Sequence, residues 1–112
     1  QRGFSLANNF KNAKLDLSTN SVTTLYTAPS ATTAVFKSLL VSNDQSSGST
    51  ITVTITDSAS AVFSVYNVKS IGANTTEELL TEALVVMEGE ILKVTAADAD
   101  RLHVIGSFLE IT

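Results

Sequence analysis

The chain has 112 residues, with seven Lys and Arg against eleven Asp and Glu for a net charge of −4. That length suits one domain, the scattered basic residues exclude a counterion-driven nucleic-acid binder, and the absence of Cys excludes disulfides and thiolate metal sites. Apolar residues make up 44%, enough for a core, yet no apolar run approaches the roughly 18 residues of a membrane helix, so no membrane partner is expected.

Fifteen Thr and fourteen Ser punctuate the sequence. β-Branched Thr favours strands and Ser favours the turns between them. The composition therefore predicts an all-β domain.

Residues 1–20 stand apart from the rest. Phe4, Leu6, Phe10, Leu15 and Leu17 are scattered among Asn, Lys and Ser without periodicity, and Asn8, Asn9 and Asn12 oppose a long helix. We expect an extended N-terminal arm over 1–20 that packs on a neighbour or on its own domain, with those five apolar residues as its partner-binding contacts. The other reading is a first strand near Lys14–Leu17 behind a loose lead-in. The opening Gln1-Arg2-Gly3-Phe4 has no apolar block of a signal peptide behind it, and the missing Met points to trimming or to a start partway along the chain.

Residues 21–112 alternate strand and turn signals at the spacing of a sandwich or barrel. Ser21–Thr27 reads as a strand stopped by Ala28-Pro29-Ser30. Ala34–Asn43 follows, with Val35, Leu39 and Val41 assigned to one face and Phe36, Ser38 and Leu40 to the other. After the polar turn Asn43–Ser49, Thr50–Thr56 alternates Ile51, Val53 and Ile55 with four threonines, a period of two. Ala61–Val68 is its expected hairpin mate. Thr75–Thr81 fits a helical turn or a strand. Ala83–Met87 precedes a tight turn at Glu88-Gly89-Glu90, where Gly89 suits positive φ. Ile91–Ala96 and Leu102–Thr112 complete about eight strands. The last is apolar on both faces, which predicts a central strand or one lying against another chain.

Catalytic signals are weak. The sole His, His103, sits mid-strand with no nucleophile motif, which fits a partly buried or interface histidine better than a base. Asp98-Ala99-Asp100 lacks the Gly and distal Glu of a calcium loop and reads as a turn. The acidic stretch Thr76–Glu90 lacks the aromatics of a sugar cleft. No enzyme activity, cofactor or metal is expected.

Several stretches resemble small virion proteins of tailed bacteriophages. They are Leu25-Tyr26-Thr27-Ala28-Pro29, Thr32-Thr33-Ala34-Val35, Lys37–Asn43, Leu84–Ala96 and Leu102–Ile111. The resemblance spans roughly 22–112 and implies a single jelly-roll-like β-sandwich within the phage particle. The implied role is a capsid decoration (cement) protein bound to the major capsid protein or other virion proteins. A neck, tail or fibre component is the alternative, and a carbohydrate-binding module a further one. Three-fold shell positions would make a homo-oligomer, favouring a trimer.

Overall fold

The computed structural model describes residues 8–112, so Phe4 and Leu6 lie outside the described residues. Nine strands follow in order: β1 (Asn8–Asp16), β2 (Thr23–Thr27), β3 (Thr33–Asn43), β4 (Ser49–Thr56), β5 (Val62–Ile71), β6 (Thr75–Glu78), β7 (Leu84–Val86), β8 (Ile91–Ala96) and β9 (Leu102–Ile111). They form two antiparallel sheets. One runs β1-β9-β3-β6, with β7 also on β3; the other runs β2-β8-β4-β5. Strands adjacent in sequence alternate between the sheets at both ends of the chain, which is jelly-roll topology.

The strand beyond the eight expected over 21–112 is β1, which lies in the region expected to be an arm. β6 pairs with Leu40–Asn43 and β7 with Ala34–Phe36, both along the same edge of β3. The gap between them is closed by Glu78. Its carboxylate accepts hydrogen bonds from Ser38 Oγ, from the N–H of Leu39 at 2.7 Å and from the N–H of Leu80 at 3.2 Å. One side chain thus satisfies backbone donors that a continuous ladder would have paired.

The region 1–20 divides. Asn8–Asp16 is the edge strand of its sheet, paired residue for residue with β9 from Asn8↔Ile111 to Asp16↔His103. Leu17 is a core residue, 1% exposed, with its N–H bonded to the Leu102 carbonyl at 3.0 Å. It is therefore not available to a partner, because the turn after β1 swings it between the sheets. The last strand, β9, is central, lying between β1 and β3.

The assignment of faces in β3 needs correction. Phe36, Leu39 and Val41 all face the core with no measurable exposure, while Val35 and Leu40 face outward. A bulge explains this. Phe36 pairs with Phe108 but Ser38 pairs with Ser107, so Lys37 is extruded and the alternation changes phase. In β4 the assignment holds for Ile51 and Val53, which are buried, with Thr52 and Thr54 turned away from the core. Gly89 has φ +81°, as its turn requires.

An aromatic cluster fills one end of the sandwich. The rings of Phe36 and Phe108 stack at 4.5 Å, and Tyr26 from the opposite sheet packs edge-on to Phe36 at 5.5 Å. Tyr26 Oη donates to Glu110 Oε2 at 2.6 Å, and Lys11 Nζ meets Glu110 Oε1 at 2.7 Å. Glu110 is buried, so this contact joins the two sheets through a desolvated carboxylate.

Both glutamates titrate below the usual carboxylate range. For Glu110, the bonds from Lys11 and Tyr26 outweigh the cost of burial. For Glu78, burial pushes upward, but the bonds from Ser38, Leu39 and Leu80 together outweigh it. A carboxyl depressed in the folded state binds fewer protons than in the unfolded chain, so stability rises with pH across that interval. The contribution is fully present above the ordinary value near 4.5 and lost as pH falls through the folded pKa. Urea midpoints are expected to drop between pH 6 and pH 3, and the double variant Glu78→Gln/Glu110→Gln should flatten that dependence. Equal slopes for the two proteins would refute the assignment.

Candidate interaction faces

β-Sheet register decides what the surface offers. Directly opposed residues of antiparallel strands project to the same face, so the pairings sort the outward side chains of the β1-β9-β3-β6/β7 sheet into rows. Phe10 opposes Leu109, Leu109 opposes Val35, and Val35 opposes Val85. This apolar row crosses four strands, with Phe10 81% and Val85 47% exposed. Ile111 lies one row toward the chain ends. On the other side come the polar row Asn12–Ser107–Ser38, then Lys14–Ile105–Leu40–Glu78, then Asp16–His103–Ser42–Thr76. Beside Phe10, Asn12, Lys37 and Ser107 border a shallow depression of about 450 Å³.

On the other sheet, exposed apolar side chains line the edge strand β5, with the successive residues Val62 and Phe63 projecting to its opposite faces. Val62, Phe63 and Val68 are all more than half exposed. Two register shifts interrupt the β4–β5 pairing. At one of them Val68 takes φ +53°, a left-handed conformation that costs a β-branched residue on the order of 1–2 kcal/mol. Its N–H is held by Thr52 Oγ1 at 3.1 Å. Such bulges twist an edge away from strand addition. Contacts there must come from side chains rather than from an added strand.

Of the apolar residues expected to meet a partner, Phe10 is outward on the first face, Leu15 is half-buried against the core and Leu17 is inside it. The sequence reading did not single out Val35, Val85 or Leu109 as contacts. The two-faced apolar character of β9 was the available signal, but the row itself exists only once register is fixed.

His103 stands on the same outward face. Its Nε2 lies 3.4 Å from Asp16 Oδ1 and its Nδ1 4.0 Å from Asp44 Oδ2. Lys14, Leu15, Asp16, His103, Val104 and Ile105 line an open depression of about 290 Å³ there. Either carboxylate can orient the imidazole ring. In the turn before β9, Asp98 accepts from Ser49 Oγ at 3.0 Å and pairs with Arg101 at 3.3 Å. These contacts give the acidic turn a structural task. Among the described residues, no three His, Asp or Glu side chains converge as a metal site would require.

No protein-family model matches the chain, and no curated protein matches it.

Proposed function

We propose that this protein is a structural component of a tailed-phage particle, a capsid decoration protein that binds and reinforces the major capsid shell. One observation carries the reading: the sandwich turns apolar side chains outward on both sheets, in the row Phe10–Leu109–Val35–Val85, exposed at Phe10 and Val85, and along the β5 edge at Val62, Phe63 and Val68. Exposed apolar patches mark contact with other macromolecules. Two of them on opposite sheets suit a body that bridges neighbours. Jelly rolls recur among viral capsid and lectin domains, and the sequence resemblance to phage virion proteins favours the former. Fold alone assigns no function, so the weight rests on the surfaces.

The β5 edge is the shell-binding surface in this reading, and it can be tested directly. Shells lacking the protein are mixed with wild type or with Phe63→Asp, and occupancy is measured by sedimentation and gel. Phe63 is more than half exposed, so the variant should fold. Its occupancy is expected to fall about tenfold or more, the loss of roughly 1.4 kcal/mol at an apolar contact. Decorated shells should withstand heating that opens bare ones. Undiminished occupancy would reject the β5 surface. Label found only on necks, tails or fibres would move the protein there and reject the shell reading.

A further inference from the structure

The outward face of the β1-β9-β3-β6/β7 sheet is complementary to itself, and we infer that it is the interface of a two-fold dimer of this chain. The inference rests on the reading of the protein as an assembly subunit and names the occupant of one of its surfaces.

The geometry follows from the rows. A two-fold axis along the strands, between β9 and β3, lays β1 of one copy over β6 and β7 of the other. Each row then faces its own reverse. Phe10 meets the second copy's Val85, Leu109 meets its Val35, Ile105 meets its Leu40, and Lys14 meets its Glu78. Every contact occurs twice, as an isologous interface demands. Lys14 is exposed, with Asn12 Oδ1 at 3.4 Å from its Nζ, and is free to meet a carboxylate across the interface. Glu78 is exposed, and its two oxygens accept three bonds within the chain, which leaves acceptor capacity for an ammonium. Lys37, extruded by the bulge in β3, reaches the second copy's polar row at Ser107 and Asn12.

Size agrees with this occupant. Four strands about 4.8 Å apart and about nine residues long at about 3.3 Å per residue present on the order of 600 Å² per copy. Two copies bury about 1,200 Å², the lower bound for a specific interface. The strands of the two copies run nearly aligned, the usual packing of sheets face to face. A dimer also presents two β5 edges on its outer sides, which is what a bridge between shell subunits needs. The two-fold takes the place of the trimer expected from shell symmetry.

The test uses charge exchange between Phe10 and Val85. Within one chain these residues are three strands apart, about 14 Å, and cannot pair. Wild type is expected to sediment as a dimer at about 100 µM, with a dissociation constant in the micromolar range typical of a small interface. Phe10→Glu and Val85→Lys should each raise that constant at least tenfold, with circular dichroism unchanged because both residues are exposed. The double variant Phe10→Glu/Val85→Lys should recover the dimer, since each new Glu meets the second copy's new Lys. Monomeric wild type at about 100 µM, a trimer, or a double variant as weak as the singles would each overturn the proposal. A wild-type monomer that still decorates shells would reject the dimer and leave the shell reading standing.

Discussion

Gly106→Val is expected to destabilise the protein by at least about 3 kcal/mol, and Gly106→Ala by about 1–3 kcal/mol, the range for overpacking a full core. Gly106 sits on β9 facing the core, where a Cβ would lie 2.7 Å from Phe36 Cε2 and 3.2 Å from its Cδ2. Phe36 cannot step aside. Its ring is stacked on Phe108 at 4.5 Å and held by the edge of Tyr26. Backbone conformation plays no part, since Gly106 is not among the residues with positive φ; the requirement is space. Denaturant titration of the two variants measures the loss. Midpoints within error of wild type would mean that the ring has room to move.

Phe36→Ala is expected to cost about 3–5 kcal/mol, as for other large-to-small core substitutions. Phe36 has no measurable exposure, and its ring joins both sheets at the aromatic end of the sandwich. The cavity would also undercut Tyr26, whose hydroxyl anchors Glu110. Because Gly106 and Phe36 touch, their effects should not add. In a Phe36→Ala background, Gly106→Ala should be close to neutral or stabilising, because its methyl enters vacated space. Additive losses would show that the Gly106 requirement has another origin.

These contacts also bear on the proposed assembly. The interior face of the β1-β9-β3 sheet is packed by Phe36, Val104 and Phe108, while its outer face carries Val35, Ile105 and Leu109. A sheet clamped from within is a stiff platform, so little ordering entropy is lost when a partner covers the other side. Substitutions at Phe10 and Val85 are therefore separable from those at Phe36 and Gly106: the first pair changes association, the second stability.

The sequence by itself determined the class of fold and most of its elements. Period-two alternation in Thr50–Thr56 marked β4 and its buried face at Ile51 and Val53, because a half-buried strand imposes that period on its own residues. It did not hold at the strand's end, where Thr56 is buried and Ile55 only partly so. Ile91–Ala96 and the Gly89 turn were equally local and equally legible. Apolar residues on both faces of Leu102–Thr112 pointed to a central strand or one lying against another chain, and β9 is central. Other features needed a partner that sequence does not reveal. The bulge at Lys37 exists only in the pairing of β3 with β9, and it exchanged the faces assigned to Val35 and Phe36. That β6 and β7 share one edge of β3, with Glu78 reaching across the gap between them, emerges only from the pairing. Leu17 lay in an apparently aperiodic stretch, yet the turn after β1 carries it into the core. The row Phe10–Leu109–Val35–Val85 draws on four strands up to 99 positions apart in the chain. Alternation fixes which residues share a face within a strand; only pairing register, a property of two strands at once, fixes what those faces build together.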